Sequence, residues 1–353
     1  MVFMRMRSLA TREIPFDAQD AIDLLESPRR FDAASFESYL PDPNYPSQAL
    51  AKAAAKNFAE GIFNAPRSEH GLWRRNWRFA NGSNSGGKGI YLDGGFGVGK
   101  THLLAAVHRV APGPKAYCSF SDLVNFVGAI GFEDSVARLS GCTLIAIDEF
   151  ELDDPGDTVL ISTLLGRLAN SGVNLAATSN TLPDKLGQGR FAAADFRREI
   201  QGLAARFSVL SIEGGDYRHI SLRLDDQDGD LSELLNESEN MGDRVSLDSF
   251  AELNAKLATI HPVMYSSLLR AVDLAIIVDV RPYDVLSEAL RFVSLVDRAY
   301  ELGVAIILDP VRLGELFPES FLSGGYRTKF GRCLSRLSEL RQEALEALGT
   351  PNL

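Results

Sequence analysis

The sequence has few cysteines and no long hydrophobic run. Its three cysteines, Cys118, Cys142 and Cys333, are widely spaced in 353 residues, which argues against a disulfide framework and against a cysteine metal site. The longest apolar runs, 274–278 and 304–308, are far shorter than the roughly 20 residues of a membrane-spanning helix. The N-terminus has basic residues but no apolar stretch of signal-peptide length. These absences predict a reduced, cytoplasmic protein.

Basic residues are in the minority. The chain has 36 Lys and Arg against 47 Asp and Glu, a formal charge of −11, which disfavours a protein that coats nucleic acid. One local exception is WRRNWRF at 73–79, where aromatic and cationic side chains mix. Two interpretations are open: a loop that packs its aromatics on the core, or a contact surface for single-stranded nucleic acid or a membrane.

The stretch GIYLDGGFGVGKTH at 89–102 carries the strongest functional signal. It fits G-x-x-x-x-G-K-[ST], with an apolar strand before it and a helix from Lys100 after it. In this motif glycines let backbone amides surround phosphate oxygens, the lysine reaches the β and γ phosphates, and the threonine hydroxyl binds Mg²⁺. The predicted phosphate-binding residues are Gly94, Gly95, Phe96, Gly97, Val98, Gly99, Lys100 and Thr101.

Apolar strand patterns and helical patterns alternate after this loop. Such alternation predicts an α/β fold with a parallel sheet flanked by helices. The predicted elements are strand 115–119, helix 121–130, strand 143–147, helix 158–170, strand 173–178, helix 191–207 and strand 208–212. A C-terminal region with helix 246–260, strand 273–280, helix 283–302, strand 304–309 and helix 328–348 either extends this sheet or forms a neighbouring layer.

These patterns divide the chain into four segments. Residues 1–87 are predicted to be an N-terminal extended and helical segment with a loop, and 88–222 a nucleotide-binding core. Residues 223–245 form an acidic excursion, and 246–353 a C-terminal α/β region that completes or flanks the core. Positions 224–243 hold eight acidic residues and no Lys or Arg, so a solvated excursion is the simplest interpretation, with a regulatory role as the alternative.

One helix is predicted before the loop, from Ser47 to Phe63. Ser47 is the expected N-cap, and Leu50, Ala54, Phe58 and Ile62 form the expected apolar stripe.

Three residues that follow or end strands are candidates for hydrolysis. In LIAIDEF at 144–150, Asp148 is expected to bind the metal ion and Glu149 to activate the attacking water. Asn180 ends ATSN after the next strand and is expected to contact the γ-phosphate, although asparagine is also a common turn residue. The carboxyl ends of parallel strands meet at one edge, where ligands bind.

An arginine from a neighbouring subunit often stabilises the transition state of such reactions. Arg190 lies in a glycine-containing segment and is the first candidate, with Arg198 the second. Ordinary surface charge is an equally good explanation of both. The trans role implies a homo-oligomer.

Several segments together resemble the ZapE/AFG-type ATPases, also called lactation-elevated ATPases, a branch of the AAA+ P-loop proteins. The resemblance implies ATP and Mg²⁺ as cofactors, Asp148 and Glu149 as the Walker B acids, Asn180 as sensor, and a cycle that remodels a protein partner. That partner would be a division-ring protein, with peripheral membrane contact. The matching segments are 89–106, 144–157, 176–186, 214–220, 288–307 and 330–340, including Arg218 and Arg336.

Two departures and two alternatives accompany this resemblance. The segment GQGRFAAADF around Arg190 differs from the family pattern, and the acidic excursion has no counterpart. One alternative is a nucleic-acid-associated ATPase of helicase-loader type, suggested by 73–79. The other is a nucleotide-gated binding module with little hydrolysis, against which the presence of Glu149 argues.

Overall fold

Parallel strands linked by helices dominate the part of the chain that the computed structural model describes. That part comprises residues 7–14, 25–63, 87–95, 97–150, 155–180, 202, 205–214, 238, 242 and 244–348. The chain divides into two units, and each is described by itself. The core unit is Leu25–Ser27 with Phe31–Arg218, and the C-terminal unit is Met1–Leu24, Pro28–Arg30 and His219–Leu353.

The core unit contains a five-stranded parallel sheet of order β2-β3-β4-β1-β5. Its strands are β1 Gly89–Gly94, β2 Lys115–Ser119, β3 Leu144–Asp148, β4 Asn174–Ser179 and β5 Phe207–Ile212. Its helices are α1 Pro46–Phe63, α2 Lys100–Val110, α3 Phe120–Ile130, α4 Phe132–Leu139 and α5 Pro155–Asn170. The predicted parallel sheet flanked by helices is confirmed. Phe207, assigned to a helix from sequence, instead begins β5.

Both faces of this sheet are covered by apolar groups. In β1, Ile90 and Leu92 lie in the cluster that includes α1 and α2. Tyr91 points to the other face, where its ring contacts Phe150 and Phe207 edge-on. Strands buried on both faces have continuous apolar sequences, which explains why these strands were readily predicted.

The buried face of α1 agrees with the predicted stripe at Ile62 and at the partly buried Phe58, but not at Leu50. Its core positions are Ala51, Ala55, Ala59 and Ile62, whereas Leu50 is 70% exposed. Small alanine side chains let this helix approach its neighbours closely, so side-chain size did not identify the buried face. Ser47 is not the N-cap, because the helix begins at Pro46; its Oγ accepts a hydrogen bond from the Glu213 amide at 2.9 Å.

The C-terminal unit has a separate parallel sheet of order β6-β7-β8. Its strands are β6 Val245–Ser249, β7 Leu274–Val278 and β8 Ala305–Leu308. Its helices are α6 Phe250–Thr259, α7 Tyr265–Leu269, α8 Leu286–Leu302, α9 Glu319–Leu322 and α10 Arg327–Leu348. Within the described ranges, no helix is both long and apolar enough to cross a membrane.

Strand β6 was assigned to a helix from sequence, and that assignment was wrong. The segment VSLDS is short and has only two apolar residues, and the helical pattern of the following α6 was extended backwards across it. What makes it a strand is its ladder with β7, in which Val245 pairs with Leu274 and Ser249 with Val278. Tertiary context commonly overrides local propensity in short strands.

Residues 7–14 pack on the C-terminal unit, although the predicted division grouped them with 1–87. The Arg7 amide donates to the Val245 carbonyl at 3.0 Å, and Leu9 is buried in the core of this unit. Ser8 Oγ and the Ala10 amide both donate to Asp248 Oδ1 at 2.9 Å. The beginning of the described chain therefore covers the edge of β6.

The C-terminal unit repeats part of the core unit. Strand β2 begins at Lys115 and β6 at Val245, while β3 begins at Leu144 and β7 at Leu274, so each pair is separated by 130 positions. The register is the same in both, because Lys115 pairs with Leu144 and Val245 with Leu274. We refer to β2-β3-β4 with their helices as the first repeat and to β6-β7-β8 with theirs as the second.

Backbone hydrogen bonds support the repeat beyond the strands. After β3, the Phe150 amide donates to Thr178 O at 2.7 Å, and after β7 the Val280 amide donates to Asp309 O at 2.9 Å. The repeats differ next to their last strand. Strand β4 also pairs with β1, whereas β8 pairs only with β7 among the described residues, and α10 packs against it.

Candidate active site

The site residues that were predicted from separate parts of the sequence lie together at the carboxyl edge of the core sheet. The loop after β1, the acidic pair at the end of β3 and Asn180 after β4 all lie at this edge. Strand β1 is hydrogen-bonded to β4, and β4 to β3, so the three strand ends are adjacent. The order of the strands, rather than the order of the sequence, brings the candidates together.

The glycine loop has the backbone geometry that its motif requires. Gly97 and Gly99 have φ values of 75° and 84°, in the left-handed region that glycine adopts without strain. A Cβ at Gly99 would lie 2.5 Å from a ring carbon of Tyr39, so a side chain is excluded by space as well. Helix α2 begins directly after it, and the first amides of a helix attract anions. Phe96 lies outside the described residues.

Lys100 is 9% exposed and is held at the centre of this edge. Its Nζ donates to the carbonyl oxygens of Gly94 at 2.8 Å and Gly95 at 2.5 Å, and to Asn180 Oδ1 at 2.9 Å. The predicted lysine and the predicted sensor are therefore in direct contact. A buried ammonium group beside the helix N-terminus makes this a strongly anion-attracting position.

The Thr101 hydroxyl and the Asp148 carboxylate form the part of the site that suits a metal ion. Thr101 Oγ1 donates to Asp148 Oδ1 at 3.2 Å. Hydroxyl and carboxylate oxygens are hard ligands of the kind that Mg²⁺ prefers, together with phosphate oxygens. Burial raises the pKa of Asp148 and the neighbouring Glu149 raises it further, while hydroxyl hydrogen bonds act in the opposite direction. These residues fit the predicted Mg²⁺.

Glu149 follows β3 with a φ of 53°, an uncommon value for a residue other than glycine. Its amide donates to Asp148 Oδ1 at 3.1 Å and to Thr178 Oγ1 at 3.0 Å. Asp279, at the equivalent position of the second repeat, has a φ of 58°. The conformation therefore belongs to the strand exit in both repeats and is not by itself a sign of catalysis.

Two hydroxyl residues at Asp148 were not predicted. Thr178 Oγ1 donates to Asp148 Oδ1, and Tyr117 OH donates to Asp148 Oδ2 at 3.2 Å. Thr178 stands two positions before Asn180, so its place in ATSN was a usable signal. Tyr117 lies on a different strand and had no such signal, because only the pairing of β2 with β3 brings it near.

The segment before α1 also supports the loop. Tyr39 OH donates to the Val98 carbonyl at 3.0 Å, and its ring packs against Gly99. On α2, His102 Nε2 lies 2.9 Å from Ser35 O and 3.0 Å from Ser38 Oγ. The N-terminal segment is therefore part of the wall of the site.

The arginine candidates are not assembled at this edge by the described residues. Arg190, Arg198 and Arg218 lie outside those residues. Arg336 is described and belongs to the C-terminal unit, where it forms an ion pair with Asp297 between α10 and α8. Arg332 binds the other oxygen of Asp297 at 2.8 Å, so Arg336 is part of a partly buried ion cluster.

One family model matches most of the chain. The family model of AFG1-like ATPases matches residues 21–232 and 226–348. Cell division protein ZapE of Escherichia coli (strain K12) is 27% identical over 307 residues, covering 72% of this chain and 78% of that protein. An uncharacterized protein of Schizosaccharomyces pombe is 24% identical over 332 residues, with 73% of each chain covered. The solved structure of DnaI aligns with a TM-score of 0.40 and 18% identity over 56% of this chain and 99% of that one, a score too low to indicate a shared function.

Proposed function

This chain belongs to the AFG1-like ATPase family and is an ATPase, and from that premise we propose that it hydrolyses ATP with Mg²⁺ held by Thr101 and Asp148. The observation that carries the proposal is the contact between residues far apart in the sequence. Thr101 and Asp148 are separated by 47 positions and Lys100 and Asn180 by 80, yet both pairs are within hydrogen-bond distance. Such a convergence of loop, carboxylate and amide is what phosphoryl transfer requires.

Each site residue has its own role in the proposed hydrolysis of ATP. The amides from Gly95 to Thr101 and the Lys100 ammonium bind the phosphates, and Asn180 contacts the γ-phosphate. The Glu149 carboxylate accepts the proton of the water that attacks the γ-phosphorus. When bound, Mg²⁺ neutralises charge on the phosphate oxygens. Arg190 from a neighbouring copy supplies further positive charge in a homo-oligomer.

We further propose that the cycle remodels a protein partner in cell division, in the cytoplasm and with peripheral membrane contact. The support for the division role is the similarity to the cell division protein ZapE of Escherichia coli, which covers 72% of this chain. The net charge of −11 favours a protein partner over nucleic acid. Turnover stimulated by a division-ring protein would support this role, and turnover stimulated by DNA would replace it with the helicase-loader alternative.

The test of the activity uses three variants of the full chain. Lys100→Ala is expected to lose ATP binding in calorimetry. Glu149→Gln is expected to bind ATP while phosphate release falls by about 10²- to 10⁴-fold, the usual contribution of a general base. Lys88→Ala, an exposed lysine just before β1, is the control and should match wild type. Undiminished ATP binding by Lys100→Ala would overturn the proposal.

A further inference from the structure

We propose that Tyr117 and Thr178 are positioning residues that fix the orientation in which the Asp148 carboxylate binds Mg²⁺. The inference rests on the proposed metal site and adds to it two side chains from the strands on either side of β3. Neither residue would touch the nucleotide in this role. Each would act through Asp148.

The two hydroxyls reach Asp148 from opposite sides. Strand β3 lies between β2 and β4, and Asp148 stands at its last position. Thr178 on β4 donates to Oδ1, and Tyr117 on β2 donates to Oδ2 at 3.2 Å. Since each carboxylate oxygen has its own donor on a different strand, rotation of the carboxylate plane would break at least one of these bonds.

The reach of Tyr117 follows from the register of the sheet. The direct partner of Asp148 on β2 is Ser119, and Tyr117 lies two positions earlier on the same face. A diagonal neighbour of this kind is about 7–8 Å away, a distance that an aromatic side chain spans. The ring is 1% exposed and packs edge-on against His108 of α2, so its direction is fixed by packing.

The second repeat indicates that these hydroxyls are not needed to build the strands. At the positions 130 residues later, Leu247 replaces Tyr117 and Val278 replaces Asp148. The position of Thr178 corresponds to Asp309, as the matching bonds from Phe150 and Val280 show. The same three-stranded frame thus forms with Leu247, Val278 and Asp309 at these positions, none of which carries a hydroxyl group. The Tyr117 and Thr178 hydroxyls occur together with the Asp148 carboxylate in the first repeat, whose last strand lies beside β1 and its phosphate-binding loop.

Side chains that hydrogen-bond to a metal ligand tune the affinity for the metal, and removing one typically lowers that affinity by about 10- to 100-fold. Tyr117→Phe and Thr178→Val are each expected to raise the Mg²⁺ concentration at half-maximal nucleotide binding by about 10-fold. Nucleotide affinity in EDTA should stay at the wild-type value. Binding of a fluorescent ATP analogue, titrated with Mg²⁺, measures the effect without turnover.

Two further variants serve as controls. Thr178→Ser keeps a hydroxyl and should restore the wild-type Mg²⁺ response. Tyr265→Phe removes another buried tyrosine hydroxyl, bonded to Leu257 O at 3.4 Å in the C-terminal unit, and should leave that response unchanged.

Four outcomes would count against the inference. An unchanged Mg²⁺ midpoint in Tyr117→Phe and Thr178→Val would remove the positioning role. An equal loss of affinity with Mg²⁺ and with EDTA, or a Tyr117→Phe chain that does not fold, would assign the hydroxyls to the strand frame instead. Wild-type protein that binds nucleotide equally with and without Mg²⁺ would instead refute the proposed metal site itself.

Discussion

The first and second repeats have the same frame but differ in the residues at their strand ends. Both contain three parallel strands in the same register, with the same residue conformation after the middle strand. In the first repeat, β1 and its glycine loop pair beside β4. In the second, α10 packs against β8, and Val278 takes the place of Asp148. The three-stranded arrangement therefore forms with or without the site residues. The proposed hydrolysis depends on β1 with its glycine loop and on a few polar residues at the strand ends.

The largest expected contrast between the repeats is in hydrolysis. Glu149 and Asp279 are equivalent acids after β3 and β7, with φ values of 53° and 58°. Glu149→Gln should reduce phosphate release by about 10²- to 10⁴-fold, whereas Asp279→Asn should leave it unchanged because no phosphate loop accompanies it. Steady-state phosphate assays of both variants make the test. An equal loss in the two would contradict the separation of frame from chemistry.

The second contrast concerns α10, which packs against β8 of the second repeat. Asp297 on α8 pairs with Arg332 and Arg336 on α10, and all three side chains are less than 20% exposed. Asp297→Asn removes the negative charge that both arginines bind and should reduce the free energy of unfolding by about 3–5 kcal/mol. Chemical denaturation monitored by circular dichroism measures the loss.

The control for Asp297→Asn is an exposed ion pair in the same unit. Asp273→Asn breaks the exposed pair with Arg244 and should change stability by no more than about 1 kcal/mol.

The stability contribution of Asp297 should depend on pH. Burial would raise the pKa of Asp297, but Arg332 and Arg336 outweigh burial and hold it below its usual value. A lowered folded-state pKa stabilises above the unfolded value, so this contribution should diminish as pH falls below about 4. Stability that does not decrease there would argue against the pair.

A third comparison tests whether the two repeats share a turn. Gly172 before β4 and Gly303 before β8 have φ values of 94° and 69°. Alanine in a left-handed conformation costs about 1–2 kcal/mol, so Gly172→Ala and Gly303→Ala should each destabilise by a similar amount in thermal unfolding. Gly166→Ala, within α5 and with open space around it, should instead stabilise by about 1 kcal/mol. A neutral result at either turn would weaken the equivalence.

The smallest expected difference in stability is between variants at the N-termini of α3 and α6. Ser119 caps α3, with Oγ accepting from the Asp122 amide at 3.1 Å in a capping box. Ser249 stands at the start of α6, and its side chain makes no capping bond to the described backbone of that helix. Ser119→Ala should cost about 1 kcal/mol and Ser249→Ala less than about 0.5 kcal/mol. Equal melting temperatures for the two variants would be evidence against this difference.

The sequence predicted elements with strong local patterns and missed those that depend on a neighbour. Strands such as β3, apolar at every buried position, and long helices such as α8 were found close to their observed bounds. Strand β6 was missed because its ladder with β7, and not its composition, makes it a strand. The buried face of α1 was predicted only in part, because three of its core positions are alanines, which carry little hydrophobic signal. For the site, motif spacing identified Lys100, Thr101 and Asp148 but gave no indication of Tyr117.

The sequence by itself determined which residues form the glycine loop, which acids follow β3, and that strands and helices alternate. These features depend on neighbours within a few positions, where spacing and residue type encode backbone geometry directly. Only the tertiary structure decided that β1 lies beside β4, that residues 7–14 pack on β6, and that Tyr117 and Thr178 surround Asp148. Such contacts join residues tens to hundreds of positions apart, and the register of the sheets, which local patterns do not specify, determines which of them meet.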